Sequence, residues 1–179
     1  DTGGIGGRAL KVTAAANSNL DFTPTATGAA SASVDTFVVW YVKASSSAKF
    51  SWSIDAGGAT VVDTSNATND IGSVTIPAGS LGTHTLHLLW NAVGATGGGS
   101  NLWILGIQAY DSTQKQIEVW QGGYNGAFVS TMNGAAQPWC VTPMIASLAP
   151  DLTVIQLQIN DAAIAATPVA TYKANLQTL

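Results

Sequence analysis

Through the first two-thirds of the chain, apolar and polar residues alternate inside short runs that break at Gly, Ser, Asn or Asp. The runs are "DTFVVWYVKA" (35–44), "KFSWSID" (49–55), "ATVVD" (59–63), "GSVTIP" (72–77), "GTHTLHLLW" (82–90) and "NLWILGIQAY" (101–110). In the second of these, Phe50, Trp52 and Ile54 recur with period two, the signature of a strand with one buried face. Val, Ile, Thr, Trp and Tyr dominate, and such side chains suit a pleated, half-buried surface. The connectors "SSSAK", "DAGGA", "PAGSLG" and "NAVGATGGGSN" are turn material. Strands that recur this often, with no helix-period segment between them, predict a β-sandwich of jelly-roll type over residues 1–115.

After Gln114 the pattern changes. "QIEVW" (116–120) predicts a short strand, followed by the Gly-rich turn "QGGYNGA". "TPMIASLAPD" (142–151) predicts a helix with Thr142 as N-cap and Pro143 at the first helical position. A buried strand is expected over 152–159. A second helix follows over 167–179, with Val169, Tyr172, Leu176 and Leu179 on one face. Strand, helix, strand, helix predicts a parallel α/β sheet over 116–179. Two strands and two helices leave much apolar surface uncovered, so this region reads as half a domain, to be completed by the remainder of the same polypeptide.

The 179 residues are 46% hydrophobic, enough for a packed core. Only 9% are charged and the formal net charge is −4, so no basic stripe is present to meet phosphate. Nucleic acid and anionic lipid are excluded on that ground, and uncharged ligands are expected. No apolar run approaches the length that spans a bilayer. Cys140 stands alone, which rules out an intrachain disulfide and a thiolate metal cluster and leaves the redox compartment open. Solubility resting on small neutral polar residues fits a secreted or virion protein. A chain starting at Asp1 rather than Met reads as a processed product, an excised domain or the ordered part of something longer.

In open α/β sheets, chemistry sits beyond the carboxyl ends of parallel strands. Two places qualify: "GGYNGA" after the 116–120 strand, and "INDA" after the 152–159 strand. Backbone N–H groups in a Gly-rich turn, converging with a side-chain amide, are the parts of an oxyanion hole. On spacing alone, a tight turn and an Asn160 cap account for the same residues.

"QGGYNG" (121–126) and "QIND" (158–161) at a strand end resemble the second and third blocks of the SGNH-hydrolase (GDSL-like esterase) superfamily. The resemblance covers roughly 117–179. It implies a partial three-layer, flavodoxin-like α/β domain, with the 1–115 jelly roll inserted ahead of it as a carbohydrate-binding element. That arrangement is similar to phage tail-fibre or tailspike proteins and secreted carbohydrate esterases. Carried over by position, the Gly126 backbone N–H and the Asn160 side chain hold the oxyanion, and Tyr124 and Asn125 meet the substrate. Gln121 stands where Asn is usual, and Gln158 where Gly is common.

The nucleophile block and the Asp-x-x-His block are expected before Asp1 and after Leu179. "YDS" (110–112) follows a sandwich strand and lacks the Gly of a nucleophile block. The resemblance thus implies part of an ester hydrolase acting on a polysaccharide or glycan ester, with no cofactor and no metal. The competing expectation is a non-catalytic carbohydrate-binding or structural module of a fibre or secreted protein. Oligomeric state is left open.

"GIGGRA" (4–9) has dinucleotide-motif glycines, but no strand precedes it and strand-like "ALKVT" follows. His84 and His87, three apart on an expected strand, fall on opposite faces and share no metal. "NAT" (66–68) matches a glycosylation acceptor, a pattern with many chance matches. Trp40, Tyr41, Trp52, Trp90, Trp103 and Tyr110 are mostly expected in the core, with one or two left to stack on sugar rings.

Overall fold

The computed structural model describes residues 9–13, 18–26, 30–93, 99–120, 128, 130, 140–155, 161 and 166–178. The chain divides into two compact units, one of them Ala9–Val119 and the other containing the described residues from Trp120 onward.

Ala9–Val119 is a β-sandwich. Its strands are β1 (Leu10–Val12), β2 (Asn19–Phe22), β3 (Val34–Lys43), β4 (Ala48–Ile54), β5 (Thr60–Asp63), β6 (Asp70–Gly82), β7 (Leu86–Val93) and β8 (Leu102–Tyr110). One sheet has the order β1-β8-β3-β6 and the other β2-β7-β4-β5, and every pairing is antiparallel. The pairs β1·β8, β2·β7, β3·β6 and β4·β5 nest inside one another, as if one long hairpin had been wrapped across both sheets.

The alternating apolar residues meet between the sheets. Phe37, Val39 and Tyr41 of β3, Phe50 of β4, Ile76 of β6, Leu86 and Leu88 of β7, and Leu102 and Ile104 of β8 form one buried cluster. Two edge-to-face aromatic pairs tie it together, Tyr41–Phe50 at 5.5 Å and Phe22–Phe37 at 6.4 Å between centroids. Each such pair contributes about 0.5–1.5 kcal/mol beyond its buried area. Gly72 lies opposite Tyr41, and the ring occupies the space a Cβ would take, so the core aromatic dictates a glycine in its neighbour strand. Thr64, buried among apolar groups, donates its hydroxyl to Ala48 O at 2.6 Å, which offsets the desolvation of that group.

β3, β4, β5 and β8 fall where the alternation places them. "PAGSLG" departs from expectation: it continues β6 as an edge strand rather than turning. Pro77 and positive-φ Gly79 are tolerated there because a strand edge needs fewer ladder hydrogen bonds. β2, with only four residues, falls in none of the predicted runs; it forms because β7 offers a register for it. His84 lies in the connector before β7 rather than on the strand.

Beyond the sandwich the elements differ more. "QIEVW" forms no strand, and Ile117 and Val119 are 94% and 89% exposed. The described start of the expected buried strand, 152–155, also forms none, with Leu152 and Val154 exposed. Strand-like composition needs a partner ladder to become a strand.

Helix α1 (Val141–Leu148) does form, but its N-cap is Cys140, so Thr142 lies inside the first turn with Pro143, where no intrahelical N–H is required. The helix ends at left-handed Ala149, whose N–H meets Ile145 O at 2.9 Å. Helix α2 (Val169–Thr178) opens with the Tyr172 N–H to Pro168 O bond, and no residue in it is buried. No helix among the described residues is long and apolar enough to cross a membrane.

Phe50→Ala removes a ring at the centre of this cluster and should cost about 3–5 kcal/mol in a denaturant unfolding curve. Val61→Thr, at an exposed edge position, should stay within about 0.5 kcal/mol of the parent.

Candidate functional site

Gly126, Tyr124, Asn125 and Asn160 lie outside the described residues. Of the polar pair that ends the "VIQLQIND" run, Asp161 is described: it is buried, and its carbonyl accepts the Thr167 N–H at 2.8 Å.

In the sandwich, polar chemistry gathers on the outer face of the β2-β7-β4-β5 sheet. Since Leu20, Leu88, Phe50, Trp52 and Ile54 point to the core, the intervening residues point away from it. Register then lines them up. One row runs Asp21–His87–Ser53 across β2, β7 and β4, and the next runs Asn19–Leu89–Ser51. Rows two residues apart along a strand are separated by about 7 Å, and neighbouring strands by about 4.8 Å. These six side chains, with Ala59 from the β4–β5 connector and with Trp52 and Leu88, line an open groove of about 250 Å³. Ser51 is only 6% exposed there. The Trp52 indole N–H is buried without a hydrogen-bond partner in the structure.

His87 Nδ1 lies 2.7 Å from Asp21 Oδ1. Carboxylate, imidazole and hydroxyl in one row have the order of a hydrolytic triad. β7 and β4 are both inner strands, so their backbone N–H groups are committed to the ladders on either side and cannot converge on an oxyanion. The two rows together are equipped to bind hydroxyl groups, with imidazole, carboxylate, amide and hydroxyl all at hand.

At one end of the same sheet His84 holds a clasp. Its Nδ1 is 2.8 Å from Asp55 Oδ2 and its Nε2 is 2.8 Å from Ser80 O. Asp55, at left-handed φ, also accepts the Thr85 N–H at 2.8 Å. Through His84, β6 of one sheet is joined to the β4–β5 turn of the other. Both ring nitrogens face acceptors, an arrangement that favours the imidazolium: hydrogen bonding to Asp55, then to Ser80 O, raises the His84 pKa above its ordinary value. The bonds from His84 and the Thr85 N–H hold the Asp55 carboxyl below the usual carboxylate range. Asp35 is lowered likewise, by the Ser112 hydroxyl and backbone N–H.

The aromatics divide between the two faces. Tyr41 is core, and Trp52 and Trp90 pack against it. Trp40 and Trp103 lie on the outer face of the β1-β8-β3-β6 sheet, where Lys11 sits 5.8 Å over the Trp103 ring and Gln108 accepts the Trp40 indole N–H at 2.8 Å. Among the described residues no group of three His, Cys, Asp or Glu side chains is placed to hold a metal ion. Sequence reasoning passed over Asp21, Ser51, Ser53 and His87 as ligand-facing groups. Period two puts Ser51, Ser53 and His87 outside, but which strands stand side by side is not a local property.

No protein-family model matches the chain, and no curated protein matches it. Among solved structures, a xanthan lyase from Paenibacillus is similar over 61% of this chain and 11% of that chain, at 16% identity and a TM-score of 0.44. This chain therefore corresponds to about a tenth of that protein's length, and a likeness of that size carries no argument about chemistry.

The clasp makes stability depend on pH. The His84 contribution is complete below the free-histidine value of 6.5 and is lost as pH rises through the raised native value; that of Asp55 is present above 3.8 and lost as pH falls through the lowered one. Melting temperature should therefore peak between about pH 4 and 6.5. The gap between the parent and His84→Gln should narrow as pH rises above that window.

Proposed function

We propose that Ala9–Val119 is a jelly-roll module that binds a neutral glycan. Its nested pairing of first with last strand, second with seventh, and onward inward supports the jelly-roll reading. The observation that carries the glycan reading is the outer-face groove, where neutral hydroxyl and amide groups stand beside a hydrogen-bonded histidine and carboxylate. Polyols need many directional partners, and this face offers them. A chain with few charges and an exterior of Ser, Thr and Gly fits work outside the cell or on a virion.

A second reading, favoured by the "QGGYNG" and "QIND" blocks, concerns residues 116–179. In it, this region is part of an SGNH-type α/β esterase that acts on ester groups of the polysaccharide the sandwich holds. Gly126 N–H and the Asn160 amide would stabilise the tetrahedral oxyanion, and Tyr124 and Asn125 would contact the substrate. Ser, His and Asp would come from the remainder of the same polypeptide.

The binding reading is tested by presenting the 179-residue chain to an array of neutral and acidic glycans. Retention on neutral glycans is expected, and retention on none refutes it. For the esterase, Asn160→Ala in the full-length protein should lower turnover of an acetylated polysaccharide by about 10²–10³. Turnover within a few-fold of the parent removes Asn160 from the oxyanion hole.

A further inference from the structure

We infer that the outer-face groove of the β2-β7-β4-β5 sheet is the glycan subsite, and that Asp21 and His87 together make it selective for uncharged sugars over carboxylated ones. The inference rests on the glycan-binding reading above and adds the location and the selectivity.

Asp21 Oδ1 engages His87 Nδ1 at 2.7 Å. A carboxylate at Nδ1 places the proton there in the neutral ring, so Nε2 is the nitrogen offered to a ligand, as an acceptor for a sugar hydroxyl. Ser53, directly opposite His87, supplies a hydroxyl that can give or take, and Asn19 and Ser51 repeat the capacity one row along. Leu89, 41% exposed between those two, presents an apolar surface to the C–H groups of a ring. Hydroxyl partners in two rows with an apolar strip inside one of them suit a pyranose, whose edges are polar and whose faces are not.

Charge decides between sugars. Among the described residues of this face, Lys49 already has a carboxylate partner in Asp63 at 3.6 Å, and Asp21 takes the His87 Nδ1 at 2.7 Å. A carboxylated sugar would find no unpaired Lys or Arg among the described residues of this face and would approach the Asp21 carboxylate, a like-charge juxtaposition that works against it. An extended peptide is disfavoured for a different reason. Binding by strand addition would use the open edge of β2, whereas His87, Leu89, Ser51 and Ser53 lie over β7 and β4, inner strands whose ladders are filled on both sides.

The test is titration calorimetry of the 179-residue chain with hexamers of β-1,4-linked glucose, xylose, mannose and N-acetylglucosamine, and with hexagalacturonate. At least one neutral hexamer should bind, and hexagalacturonate should bind more weakly. His87→Ala and Ser53→Val, each with unchanged melting temperature, should weaken the neutral ligand by about tenfold, the effect of losing one good hydrogen bond. Asp21→Asn should raise the affinity for hexagalacturonate relative to the neutral hexamer, a shift in ratio that loss of structure alone does not produce. Trp103→Ala, on the opposite sheet, should leave both unchanged.

Neutral binding that survives His87→Ala and Ser53→Val but is lost in Trp103→Ala overturns the location while leaving the glycan reading in place. Tighter binding of hexagalacturonate by the parent overturns the selectivity. Binding of no hexamer by the parent overturns the glycan reading itself, and the subsite with it.

Discussion

The burial of Phe37 and Phe50 between two antiparallel sheets is the constraint on which the rest of the structure depends. Both rings are fully buried, and each meets a second aromatic edge to face. Side chains alternate along a strand, so seating these rings inward leaves no freedom in the direction of their neighbours. A one-residue slip of β4 would send Ser51 and Ser53 into the core and Phe50 into water. Bulges at Lys49/Phe50 in β4·β7 and at Trp40/Tyr41 in β3·β8 absorb irregularities of spacing without moving the core residues off their face.

The outer-face groove follows from that constraint. Once Leu88, Phe50 and Trp52 are held inward, His87, Ser51 and Ser53 must face outward, and the pairing of β2 with β7 brings Asp21 beside His87. Filled ladders on both sides of β4 and β7 commit the backbone N–H groups of the two strands that carry the hydroxyl and the imidazole. Side chains suffice to bind a hydroxyl, whereas acyl transfer also requires backbone or amide donors aimed at the oxyanion. The His84 clasp uses similar ingredients for another purpose. Its imidazole joins Ser80 of one sheet to Asp55 of the other, and the β4–β5 connector that it secures also contributes Ala59 to the groove.

Much of the sandwich was legible in the sequence. β3, β4, β5 and β8 carry strict alternation or β-branched runs, and such signals need only local information. β2 was not legible, because four residues, two of them Asn and Asp, form a strand only when a neighbour supplies the ladder. The second half of β6 was hidden by Pro77 and Gly79, which mark a turn in isolation yet are harmless at a sheet edge. "QIEVW" and the start of the 152–159 run show the converse, since their composition suits strands and no strand among the described residues pairs with them.

The sequence by itself determined the class of the first unit and the inward set of residues, because a period-two pattern with one apolar face has few ways to remove that face from water. It also set an expectation about ligands, since six basic residues against ten acidic ones argue against a phosphate-binding surface. Only the tertiary structure decided which strands are neighbours. Asp21, Ser53 and His87 are separated by more than thirty residues along the chain from one to the next, and hydrogen-bonded register alone puts carboxylate, imidazole and hydroxyl in one row. Pairing is a property of the whole wrapped hairpin, in which the last strand closes on the first, and no local window of sequence contains it.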